Sequence, residues 1–141
     1  MKRSATAVWN GPGKTGKGKL STDSEVLENT AYSFSSRFES EKGTNPEELI
    51  AAALAGCYAM KLSFMLDAAN MTAKELKVKA TYNMEKNETG WQTVGIHLDV
   101  SATIPDGSLS NFKEISQKAK SECPISKILA TTITLEARLS S

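Results

Sequence analysis

Few residues in this chain have side chains suited to chemistry. There are two cysteines, Cys57 in "ALAGCYAM" and Cys123 in "SECPISKIL", and a single histidine, His97. Arg37 lies shortly before "TNPEEL", which carries Glu47 and Glu48. A thiol acts as a nucleophile only when ionised, so its surroundings decide whether it reacts. At 100° per residue, Cys57 shares a helix face with Ile50, Ala53, Met60, Lys61 and Phe64. Lys61, one turn on, favours a thiolate, although a lysine this long also extends readily to solvent. Cys123 precedes Pro124 at a helix start, where free N–H groups lower a thiol's pKa, and Glu122 beside it acts in the opposite sense. A free cysteine also packs well as a small buried hydrophobe, so the residues alone leave both readings open. Arg37 and Glu47 read separately as a strand-end charge and a helix-start carboxylate. Joined as a fork beside a thiol, they would stabilise a thiolate and orient a polar substrate.

Other chemistry finds less support. One histidine and two cysteines outside a CxxC spacing do not make a zinc site, so no metal is expected. "GPGKTGKG" approaches a phosphate-loop spacing through Gly11, Gly16 and Lys17. However, Gly18 stands where Ser or Thr would hold magnesium, and "KLSTDS" does not resemble the required helix. It reads as a lysine-rich hairpin loop.

These side chains must be positioned by a chain of 141 residues, long enough for one domain with a real core. "SATAVWN", "KLSTDS" and "TAYSFSSRF" read as short antiparallel strands across residues 1–40, with Arg37 ending the third. Asn45 then caps a helix that has Pro46 at its first position, Glu48 at capping-box spacing and both glutamates at the positive end of the dipole. It is expected over about 46–69, with Asn70 as a stop. From Lys74 the period becomes two: Leu76, Val78, Ala80, Tyr82 and Met84, then Val94 to Ile104 after the turn "EKNETG", predict two long strands over about 74–104. Helices follow over about 108–130, interrupted at Pro124, and a last strand over about 131–139. The order βββ–α–ββ–α–β indicates an α+β fold with a mainly antiparallel sheet and a long, buried central helix. Residues 49–60 carry no charge on any face. A helix apolar all round needs cover on every side, which a single sheet cannot give, so a homodimer is expected.

Composition narrows the function classes. With 40% hydrophobic residues, 23% charged residues and a net charge of +1, the chain lacks the basic stripe that nucleic-acid binding needs. The uncharged apolar run 49–60 falls short of the ~20 residues that span a bilayer. No basic start, apolar run and cleavage site open the chain. The expected compartment is the cytoplasm, where lasting structural disulfides are uncommon.

"RFESEKGTNPEELIAAALAGCYAM" together with "QKAKSECPISKIL" resembles the OsmC/Ohr family, in its OsmC branch, and the similarity runs from "AVWNG" to "ITLEARLS". The resemblance implies an intertwined homodimer with active sites at its interface, and thiol-dependent reduction of organic hydroperoxides without metal, haem or flavin. It casts Cys57 as the peroxidatic cysteine and Cys123 as the resolving one. Arg37 becomes the residue that activates the thiolate and Glu47 the carboxylate that orients Arg37. Gly56, Tyr58, Lys61 and Glu122 depart from the commoner family residues. The implied cycle runs through a Cys57 sulfenic acid and a Cys57–Cys123 disulfide, reset by an external dithiol. A redox sensor using the same pair without turnover is the alternative.

Helix geometry adds one constraint. Glu47 and Cys57 are ten residues apart in one helix, roughly 15 Å at about 1.5 Å per residue. If both serve one site, Glu47 comes from the other subunit, with Arg37.

Overall fold

A computed structural model describes residues 1–141. The chain divides into two compact units, Met1–Leu49 and Ile50–Ser141.

In the first unit, β1 (Ala5–Asn10), β2 (Lys17–Thr22) and β3 (Thr30–Ser33) form an antiparallel sheet in that order. The β1–β2 pairing runs from Ala5 opposite Thr22 to Asn10 opposite Lys17. The connecting loop closes through the Gly16 N–H, which donates to the Pro12 carbonyl at 2.6 Å. Lys17 opens a strand, not the helix a phosphate loop requires. Gly18 permits a close aromatic approach: Trp9 and Tyr32 lie with ring centroids 5.5 Å apart, and a Cβ at Gly18 would sit 2.3 Å from the Tyr32 ring.

The expected third strand is shorter than its alternation suggests. Strand β3 stops at Ser33, and Phe34–Phe38 form a short helix, α1, so Arg37 lies on a helix and not at a strand end. The cause is local. The Ser33 side chain accepts from the Ser36 N–H while the Ser36 hydroxyl accepts from the Ser33 N–H, a reciprocal capping box.

Helix α2 (Pro46–Ala68) begins where Asn45 Oδ1 accepts from the Glu48 N–H at 2.8 Å. The Glu48 carboxylate does not return to the cap backbone and instead accepts from the Thr44 hydroxyl at 3.5 Å. At the other end Asn70 adopts a left-handed conformation (φ 56°), and the Met71 N–H donates back to the Leu66 carbonyl.

In the second unit, β4 (Glu75–Asn87) pairs antiparallel with β5 (Gly90–Thr103), and β6 (Ile133–Ser140) lies parallel on the far side of β5. The β5–β6 connection contains α3 (Leu109–Glu122) and α4 (Pro124–Ile128). A crossover with helices is what a parallel pairing needs. The fold is thus mixed α+β, antiparallel except at this edge. The core joins Ile96, Leu98, Val100, Ala102 and Ile104 of β5 and its end to Phe112 and Ala119 of α3. Leu54, Tyr58, Leu62 and Leu66 of α2, all fully buried, complete it.

By length and composition α2 could cross a membrane, more than the uncharged run alone suggests. Its four fully buried side chains and the mid-helix Lys61 are those of a core helix. A second face of α2 is bare in the single chain: Gly56 is exposed, and Met60 and Phe64 are 64% and 67% exposed. The central helix is therefore buried along one stripe and open along another.

Candidate active site

Two constellations emerge, one in each unit. In Ile50–Ser141 the sequence-distant thiols meet. Cys57 is half-buried in α2 and Cys123, fully buried, joins α3 to α4. Their Sγ atoms lie 3.0 Å apart and hydrogen-bond, with both cysteines free. Pro124 creates this junction, since it ends α3 and suits the first position of α4.

The two thiols differ electrostatically. Burial pushes Cys57 up, and its hydrogen bond with Cys123 adds to the rise, against a lowering contribution from the Ile125 N–H. Burial also raises Cys123, but the combined effect of Cys57, the Ser126 N–H and hydroxyl, and the Ile125 N–H outweighs it and leaves Cys123 below its ordinary value. Ser126 Oγ is buried with no other hydrogen-bond partner, which leaves its proton for a thiolate at Cys123. The start of α4 thus favours a negative charge on the thiol pair, with Cys123 as its preferred seat.

Lys61 does not supply the missing bias toward Cys57. Its Nζ lies 2.8 Å from Glu122 Oε2, so the candidate thiolate stabiliser and the charge expected to oppose Cys123 neutralise each other. Beside Cys57, the Tyr58 hydroxyl donates to the Ser116 carbonyl at 3.2 Å, and burial pushes this phenol to about 12. It stays protonated throughout the neutral range.

In Met1–Leu49, Arg37 and Glu47 form the fork. Arg37 Nε donates to Glu47 Oε1 and Oε2 at 2.9 and 3.1 Å, and Nη2 donates to Oε1 at 2.6 Å. Glu47 is thus paired with the arginine of its own chain. The guanidinium also lies 4.8 Å over the Phe38 ring. Helix α1 is anchored for this purpose: the Ser36 hydroxyl donates to the Thr44 carbonyl at 3.0 Å, and Asn45 Nδ2 donates to the Ser36 carbonyl. The Ser33 hydroxyl donates to Glu41, and with Lys17 it holds that carboxyl below its usual range. A cavity of about 90 Å³ opens beside the fork, lined by Trp9, Tyr32, Phe34, Arg37, Phe38 and Pro46. An Arg side chain held by a carboxylate at the wall of an apolar cavity suits a ligand with one polar end and an apolar body.

His97 lies apart from the thiols, on the other face of β5, with Nδ1 2.6 Å from Thr134 Oγ1. No group of three or more metal-ligating side chains is present. The Ser33–Ser36–Thr44 anchoring and the role of Ser126 are not read from the sequence. "SFSS" does carry an S-x-x-S spacing that signals the first of them.

Two thiols in hydrogen-bond contact and a separate Arg–Glu fork are thus what the fold presents. The OsmC-like protein family matches residues 39–138, which include Glu47 and both cysteines. The chain belongs to that family. It is 44% identical over 135 residues to peroxiredoxin OsmC of Escherichia coli K12, an alignment covering 96% of this chain and 94% of that protein. Identity to an organic hydroperoxide resistance protein-like 2 of Staphylococcus epidermidis is 27% over 124 residues, covering 88% and 85%. Among solved structures, an OsmC-like protein from Mycoplasma pneumoniae superposes with a TM-score of 0.77 at 20% identity, covering 100% of this chain and 99% of that one. Family membership thus accords with a fold reached here from its elements.

Proposed function

We propose that the protein is a thiol-dependent peroxidase that reduces organic hydroperoxides to alcohols through Cys57 and Cys123, in defence against oxidative stress. The observation that carries this reading is the 3.0 Å approach of two free thiols at the start of α4. The 44% identical relative is named a peroxiredoxin, which supports the same class of reaction.

The cycle balances as follows. The Cys57 thiolate attacks the distal peroxide oxygen and the O–O bond breaks. The alkoxide takes a proton and leaves as the alcohol, and Cys57 becomes a sulfenic acid. The Cys123 sulfur attacks Cys57 Sγ, expelling water and forming the disulfide. The sulfurs must close by about 1 Å from their present separation to reach a bond of roughly 2.05 Å. Cys123, the thiol more readily ionised here, is suited to that attack. An external dithiol returns both thiols and leaves as its own disulfide. No step needs a bound metal or cofactor.

What Cys57 lacks within Ile50–Ser141 is a free cation, because Lys61 is taken by Glu122. Arg37 fits that role. Since ten residues of helix rise roughly 15 Å, the fork serving a given Cys57 comes from a second copy of the chain. The bare apolar face at Gly56, Met60 and Phe64 supports such a homodimer. An interface of this kind also favours alkyl or lipid hydroperoxides over hydrogen peroxide. A cytoplasmic location agrees with two cysteines that must be reduced between turnovers.

Steady-state consumption of cumene hydroperoxide with dithiothreitol as the dithiol tests the reading. Many turnovers per subunit, lost in C57S, are expected. Consumption that stops after one equivalent despite excess dithiol refutes the enzyme and leaves a sensor.

A further inference from the structure

Lys61 and Glu122 occupy corresponding places beside the two thiols. Lys61 lies one helical turn after Cys57, and Glu122, the last residue of α3, immediately precedes Cys123. Their side chains meet at 2.8 Å while 30% and 37% exposed, so the contact lies at the protein's edge, just outside the thiol pair. We propose that the Lys61–Glu122 ion pair is a positioning clamp for disulfide formation, tying the end of α3 that carries Cys123 to the turn of α2 that carries Cys57. This inference rests on the reading of the cysteines as a redox pair.

The way Glu122 is satisfied decides what the pair does. Three cations face it: Lys61 from α2, Lys118 from its own helix at 3.9 Å, and Lys127 from α4. The hydrogen bond from Lys61 contributes most to holding the carboxyl below its ordinary value. A Glu122 bonded only to Lys118 would still have a cationic partner but would tie α3 to itself. By choosing Lys61 it joins the two helices one turn from the sulfurs. Beyond the thiol contact itself, a further polar tie, Tyr58 to the Ser116 carbonyl, lies about two turns further back along α3. Without the clamp, the end of α3 and the Cys123 junction keep only the weak thiol–thiol hydrogen bond as a nearby polar tie to α2. The effective concentration of one sulfur at the other then falls. Neither Lys61 nor Glu122 touches the reacting atoms; both act through the placement of Cys123.

The test is the equilibrium between the Cys57–Cys123 disulfide and mixtures of reduced and oxidised dithiothreitol, read by acid quench, alkylation and intact mass. K61Q and E122Q should each lower the disulfide equilibrium constant by ~3-fold, as suits an edge ion pair. The charge-reversed double variant K61E/E122K should return it to within about 2-fold of wild type, and K61R should do likewise. A direct charge effect on the thiols has opposite signs in the two single variants, because one removes a cation and the other an anion. Opposite changes therefore overturn the clamp, as do single variants indistinguishable from wild type or a double variant that adds the two losses. If wild type forms no intramolecular disulfide at any ratio, the cysteine-pair reading fails and the clamp with it. A normal wild-type equilibrium with unchanged variants removes the clamp alone.

Discussion

Replacing Tyr58 with phenylalanine should remove a specific alkaline weakness of the fold. Tyr58 is fully buried beside Cys57, and burial raises its phenol from an ordinary 10 to about 12. A group whose folded pKa exceeds its unfolded value favours the protonated folded state. Its contribution is full below pH 10 and is lost as pH rises through 12. Two units at 1.36 kcal/mol each make this about 3 kcal/mol. At neutral pH Y58F should be weaker than wild type by about 1 kcal/mol, because the bond to the Ser116 carbonyl is gone. By pH 12, where the folded phenol is half ionised and roughly 2 of those kcal/mol are lost, the order should reverse, with the variant about 1 kcal/mol more stable. Lysines and thiols titrate over the same range, so the difference between the two proteins is the relevant quantity. Urea unfolding followed by circular dichroism, with reduced protein at one concentration and several pH values, supplies it. A stability difference that stays constant between pH 9 and 12 would refute the assignment of the shift to burial.

Further outcomes follow from the same contacts. R37K keeps the charge but loses most of a three-bond fork, and should lower kcat/KM for an organic hydroperoxide by ~10-fold or more. Mixing C57S with E47A should restore activity in verified heterodimers if the fork serves the partner's thiol; no recovery contradicts shared sites. F64E should shift the protein toward monomer in sedimentation and lower activity with it, since Phe64 stands 67% exposed on the bare face of α2. G18A places a Cβ within 2.3 Å of the Tyr32 ring and 2.7 Å of Trp9, and should cost about 1–3 kcal/mol with altered tryptophan fluorescence.

Much of the fold is legible in the chain because its signals are local. Asn45–Pro46 marks the start of α2, and alternation from Leu76 and again to Ile104 marks the two long strands, since capping and pleating act between near neighbours. The end of β3 was hidden for the opposite reason. "TAYSFSSRF" alternates like a strand, and a five-residue helix is too short to show a period against the Ser33–Ser36 cap. The parallel pairing of β6 with β5 could not be read from its own residues, which alternate alike in either direction. The site divides in the same way. Arg37, Glu47, Cys57 and Cys123 could be named from residue type and family resemblance, but the approach of the thiols is a tertiary event between residues 66 positions apart. Lys61 showed the limit most clearly. Read along its own helix it is a cation beside a thiol, but its charge is already matched by Glu122, which only the packing of α3 against α2 brings near.

The most direct test of the thiol pair is an intact mass. Reduced protein is treated with one equivalent of cumene hydroperoxide, quenched and measured under non-reducing conditions. Wild type should rapidly lose about two mass units, a loss absent in C57S, with C123S instead gaining one oxygen as a sulfenic acid. An unchanged mass over minutes at that stoichiometry would contradict the redox pairing and leave Cys57 and Cys123 as neighbours in a core.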